Sequence, residues 1–122
     1  IALSISGDFE CNSSNQEFKD KIISYIDKNF NNPDLSLAML ATHINISYHH
    51  LSHVFTDYMG ETFISYLTKY RLEHSKELLT QSDEKIDTIA KKSGFSGSNT
   101  FIKIFKKYYG ITPGRYRSEN NS

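Results

Sequence analysis

From residue 16 onward, apolar positions recur at helical spacing. Phe18, Ile22, Ile23, Ile26 and Phe30 share one face of a helix, and Ser14 with Glu17 is spaced as a capping box ahead of them. The run Asn31-Asn32-Pro33-Asp34 stops that helix. Residues 36–44, "SLAMLATHI", predict a short apolar helix capped by Ser36, and Ser47 caps a second one from about 48 to about 58, ended by Gly60. A long helix follows from about 62 to about 80, apolar at Phe63, Ile64, Leu67, Leu72, Leu78 and Leu79. After the polar break "QSDEK", residues 86–93 form another short helix ended by Gly94, and a helix from about 98 to about 109 ends at Gly110. Thr112 caps a last turn with Pro113 at its first position. No segment alternates as a strand would, so the expected fold is all-α, with about seven helices. Residues 1–15 are polar, broken by Gly7 and without helical periodicity, and read as a linker; 119–122 read as a tail.

The pattern repeats. At a shift of 50 residues, Phe55 falls on Phe105, Tyr58 on Tyr108, Gly60 on Gly110, Thr62 on Thr112 and Tyr66 on Tyr116, with Leu51 on Phe101 and Val54 on Ile104. Leu40-Ala41 matches Ile89-Ala90 at a shift of 49, so the second copy holds one more residue in its turn. The repeated unit is short helix, tight turn, longer helix, glycine stop: a helix-turn-helix present twice, at about 36–60 and about 86–110, joined by the long helix. Each lobe alone is too small to bury much surface, so both are expected to fold around that helix.

In each copy the longer helix has two faces. Leu51, Val54, Phe55 and Tyr58 form a core stripe, as do Phe101, Ile104, Phe105 and Tyr108. The other face carries His49, Ser52, His53 and Thr56 in the first copy, and Asn99, Ile102, Lys103 and Lys106 in the second, at i, i+3, i+4 and i+7. The second helix of a helix-turn-helix enters the DNA major groove with its N-terminal residues on base edges. Asn suits adenine, Lys suits guanine, and an aliphatic side chain suits the thymine methyl. Lys103, Lys106, Lys107, Arg115 and Arg117 are candidates for phosphate neutralisation. His, Ser and Thr are weaker readers, and Asp57 lies beside them, so the second lobe is expected to supply most of the affinity.

Charge supports this chemistry once it is resolved along the chain. The formal net charge is zero. Residues 1–60 nevertheless carry three Lys against seven acids, and residues 61–122 eleven Lys/Arg against seven. Between 85 and 117 eight basic residues face the single acid Asp87. So lopsided a segment points to a polyanion. Eight Tyr and eight Phe suffice for a core across 122 residues; their spacing matches the core stripes and not a base-stacking surface. The single Cys11 cannot form an internal disulfide, which fits a reducing compartment. No apolar run approaches a membrane span. Ile1 is not Met, so the chain reads as a piece of a longer protein.

Several residues have plainer readings. His49 and His53 have the spacing of metal ligands on a helix, but no His-Glu-x-x-His pattern and no third ligand accompanies them, so neither metal nor cofactor is expected. His43 and His74 are read as surface residues, Arg71 as a structural ion pair. Lys91 and Lys92 divide evenly between phosphate contact and simple solvation. No nucleophile, base and orienting group occur together, so no enzyme is expected.

The stretches "LSLAMLA", "LSHVF" with Gly60, "YLTKYRLEHSKELL", "IDTIAKKSGF" and "FIKIFKKYYGITPGRYR" together resemble the DNA-binding domain of AraC/XylS-family transcription regulators, over about residues 16–118. The resemblance implies two helix-turn-helix lobes on a linker helix, one recognition helix per lobe in successive major grooves of duplex DNA. Carried over by position, base-facing residues are His49, Ser52 and His53, then Ser98, Asn99, Ile102 and Lys103, and the resemblance implies that His50 packs inward. Promoter DNA is the implied partner of such a cytoplasmic bacterial regulator, RNA polymerase a second, and an upstream sensor or receiver domain of the same chain a third; activation and repression are both open to it. The chain departs from the family pattern at His53, where Arg is frequent, at Thr56, where a basic residue is frequent, and at Gly97, where Asp usually caps the helix. A helical protein-interaction module with degenerate lobes is the alternative.

Overall fold

The computed structural model describes residues 2–121, with side chains for 16–120. Seven helices and no strand occur among them: α1 (Ala2–Asn29), α2 (Leu37–Ile44), α3 (Tyr48–Met59), α4 (Phe63–Gln81), α5 (Ile86–Lys92), α6 (Ser98–Tyr109) and α7 (Pro113–Asn121). The all-α reading and the helix-turn-helix pairs α2–α3 and α5–α6 hold. The difference lies at the start. Residues 2–15, expected as linker, continue α1 as helix. They hold no Pro, and a single Gly costs a helix only about 1 kcal/mol.

Two compact units divide the chain. The first contains α1 up to Lys28 and Ser36–Phe63; the second takes Asn29–Leu35 and everything from Ile64. The long helix α4 therefore belongs, beyond its first residue, with the second lobe.

In the first unit Ile22, Ile26, Leu40, Ala41, Leu51, Phe55 and Phe63 are buried. Phe55 meets Phe63 edge-on, and Phe18 of α1 meets Tyr58 of α3 in the same way. Ser36 accepts from the Met39 N–H and Ser47 from the His50 N–H, the two predicted caps. The turn between α2 and α3 is built on Asn45, which is left-handed (φ 61°, ψ 46°). Asn is the non-glycine residue best suited to that conformation.

In the second unit Leu72, Leu79, Ile89, Ala90, Phe95, Phe101 and Phe105 form one buried cluster, with Leu78, Ile86, Ile104, Tyr109 and Tyr116 packed against it. The segment after α1 is held here too. The Asp34 N–H donates to Asn32 Oδ1 (3.0 Å), the turn that the Asn-Asn-Pro-Asp sequence encodes. Arg71 donates from Nε to the Phe30 carbonyl (2.9 Å) and from Nη2 to the Asn32 carbonyl (2.8 Å). In place of the expected ion pair, the Arg71 guanidinium thus holds two carbonyls of the turn that follows α1. Burial of this guanidinium lowers its pKa.

The repeat is visible in the backbone. The Ile46 N–H donates to the Ala41 carbonyl (3.1 Å) in the first turn, and the Phe95 N–H to the Ala90 carbonyl (2.9 Å) in the second. Asn45 and Gly94 (φ 96°) are the matching left-handed residues. The shift is 49 as far as Phe95 and 50 from the caps Ser47 and Gly97, so Ser96 is the added residue. Gly60 and Gly110 end α3 and α6 with φ of 80° and 81°.

Candidate nucleic-acid interface

Each recognition helix is anchored through one stripe. Leu51 and Phe55 are buried in α3, Phe101 and Phe105 in α6. The fourth stripe position departs from expectation. Tyr58 is half-buried against Phe18, but Tyr108 is 42% exposed. In α6 the inward place is taken by Tyr109, one turn after Phe105, with the two rings 4.7 Å apart. The Tyr109 hydroxyl donates to Glu73 (3.0 Å), and the Lys76 ammonium lies 4.6 Å from the Tyr109 ring centre. Burial and the Glu73 carboxylate raise the Tyr109 phenol above its usual pKa.

On the opposite faces the predicted residues do come to the surface. His49, Ser52, His53 and Thr56 are exposed on α3. Asn99, Lys103, Lys106 and Lys107 are exposed on α6, and Ser98 and Ile102 are half-buried at its edge. His50 is exposed too, contrary to the inward packing expected of it; the neighbouring Leu51 takes the buried place. Tyr48, the first residue of α3, was not among the residues that the spacing singled out, and it is 53% exposed.

The basic segment divides into committed and available charge. Lys91 pairs with Asp87 (3.3 Å), Lys92 with Glu84, and Arg115 with Glu119 (3.1 Å). Arg117, expected toward phosphate, is turned inward. Its guanidinium donates to the carbonyls of Leu79 (3.0 Å), Ser82 (3.1 Å) and Glu84 (2.7 Å). It thereby caps the C-terminal end of α4, where helix carbonyls lack partners. Lys103, Lys106 and Lys107 make no ion pair among the described residues. The α6 face therefore offers three ammonium groups, an amide and an aliphatic edge at the start of a helix whose cap, Gly97, supplies no side-chain hydrogen bond. Its N-terminus carries the positive end of the helix dipole.

No group of three His, Cys, Asp or Glu side chains among the described residues is placed to hold a metal ion. Among the same residues, no helix is long and apolar enough to cross a membrane.

This anchored, basic, twice-built helix-turn-helix has known counterparts. A family described as "Helix-turn-helix domain" matches residues 40–119. The regulatory protein PocR of Salmonella typhimurium is 36% identical over 101 residues, which cover 83% of this chain and 33% of PocR. The HTH-type transcriptional regulator YtdP of Bacillus subtilis is 35% identical over 107 residues, covering 88% of this chain and 14% of YtdP. Among solved structures, the C-terminal domain of the two-component response regulator yesN from Fusobacterium nucleatum superposes with a TM-score of 0.80 at 36% identity, covering 83% of this chain and 98% of that one. The DNA-binding domain of AdpA, solved in complex with a target DNA, shares the fold at 20% identity (TM-score 0.77), covering 82% of this chain and 89% of that one. The chain belongs to the AraC-type helix-turn-helix family of DNA-binding domains. It spans a third of PocR and about a seventh of YtdP.

Proposed function

We infer that this domain binds duplex DNA at a specific sequence, as the DNA-binding module of a bacterial transcription regulator, with α3 and α6 each placed in a major groove. The observation that carries the reading is the face of α6. Asn99 and Lys103 are exposed one turn apart near the start of the second helix of a helix-turn-helix, and Lys106 and Lys107 follow free of acidic partners. Asn and Lys have the donors and acceptors to discriminate base edges, and the remaining lysines offset phosphate charge. In α3, His49, Ser52, His53 and Thr56 occupy the equivalent face and contribute hydrogen bonds with less fixed charge.

The relatives extend well beyond the matched region, so the module is proposed to work attached to a sensor or receiver segment. Its partners are promoter DNA and, through promoter occupancy, RNA polymerase, in the cytoplasm. No catalytic role is assigned to it. Selecting bound duplexes from a random pool is the test. Enrichment of one sequence pattern is expected, and a chain that returns an unenriched pool is not a sequence-specific DNA binder.

A further inference from the structure

Tyr48 stands out once the two lobes are compared position by position. It opens α3 directly after the cap Ser47, as Ser98 opens α6 directly after the cap Gly97. Helical spacing sets Tyr48 on a boundary: Leu51 and Phe55 of the core stripe lie three and seven residues on, and Ser52 of the reading face lies four on. The core does not take it. Its ring is more than half exposed, against the near-complete burial of Leu51 and Phe55. Its one ring contact among the described residues is edge-on with His49, centroids 6.2 Å apart at 79°. Exposure of this degree leaves the phenol accessible to a ligand. It sits on the row of Ser52 and Thr56, beside His49, between the core stripe and the reading face at the start of the second helix of a helix-turn-helix, the end that faces the duplex in that motif.

We propose that Tyr48 is a DNA-contacting residue of the first lobe, its phenol O–H donating to a phosphate oxygen at the groove edge. The inference rests on the DNA-binding reading above. A hydroxyl donor adds no charge to the interface. It fixes the register of α3 on the duplex, so that His49, Ser52 and His53 meet base edges; phosphate contacts position a protein without reading sequence. The first lobe has no lysine or arginine on this face, and a hydroxyl donor at the helix start supplies the missing anchor. In the second lobe Ser98 holds the equivalent place, beside three lysines that make a long donor there unnecessary.

The test uses the full chain and a duplex selected from a random pool, with Tyr48→Phe, Tyr48→Ala and the wild type compared by gel shift at fixed salt. Specific binding by the wild type establishes the underlying reading; without it, that reading fails before Tyr48 is in question. Given wild-type binding, Tyr48→Phe is expected to weaken affinity about tenfold, the loss of one hydrogen bond to a charged group. The weakening should be the same on the selected duplex and on duplexes with single base changes, and the slope of affinity against salt should not change. The exposed position leaves the melting temperature of Tyr48→Phe unaltered, which separates lost contact from lost fold. If Tyr48→Phe binds as tightly as the wild type, the hydroxyl is not used and the proposal falls. That holds even if Tyr48→Ala is weak, since the ring alone would then matter. A loss confined to one base position would also overturn it, because a phosphate contact does not read bases.

Discussion

At Gly94 two demands meet on one residue. Its φ of 96° lies in the left-handed region, and a Cβ placed there would stand 2.0 Å from the Phe30 carbonyl oxygen and 2.7 Å from Arg71 Nε. Gly110 has a similar φ of 81°, but nothing lies within 4 Å of a Cβ there. Gly110→Ala should therefore cost only the backbone strain, about 1–2 kcal/mol. Gly94→Ala should cost that and the overlap with backbone, about 2–5 kcal/mol in total. Chemical denaturation of the two variants checks the order; equal losses would mean that the Phe30 carbonyl does not press on Gly94. The sequence marks both glycines as turn residues with positive φ and gives no sign that they differ. The difference comes from a carbonyl far upstream in the chain, and local pattern carries no information about such contacts. The same limit hid Arg117: as one more basic residue in a basic segment it reads as a phosphate ligand, and only the fold shows three carbonyls converging on it.

Among the elements, α6 was the most legible and α1 the least. The α6 stripe of Phe101, Ile104 and Phe105 and its opposite face of Asn99, Ile102, Lys103 and Lys106 follow from the 3.6-residue period, with the duplicate in α3 fixing the frame twice; only the fourth stripe position, Tyr108, gives way to Tyr109. The first half of α1 has no apolar stripe, so the period is silent there. We expect Lys103→Ala to weaken binding by about 1–3 kcal/mol and to relax preference at one base position. Lys107→Ala should weaken binding alike on all sequences and reduce the salt slope by about one. Arg117→Ala should lower thermal stability without changing the salt slope, since its donors serve α4. A flattened salt slope in Arg117→Ala would return that residue to the phosphate set.

For the whole molecule, the zero net charge is a sum of unlike parts, and the structure sharpens the contrast. Lys91, Lys92 and Arg115 are paired with acids and Arg117 with carbonyls. Lys91, Lys92 and Arg115 are exposed too; the exposed basic residues without an ion pair among the described residues are Lys103, Lys106 and Lys107 on α6, with Lys85 ahead of them. Unit by unit, then, the second lobe carries three exposed lysines on α6, and α3 of the first carries no lysine or arginine. The central claim is that this is a sequence-specific binder of duplex DNA whose affinity rests on phosphate contacts. The measurement that tests it most directly is the dissociation constant for a selected duplex and for a scrambled one of equal length, between about 50 and 200 mM salt. Affinity for both should fall steeply as salt rises, while the selected duplex stays at least about a thousandfold tighter. Equal affinity for the two duplexes, or affinity indifferent to salt, would contradict the account.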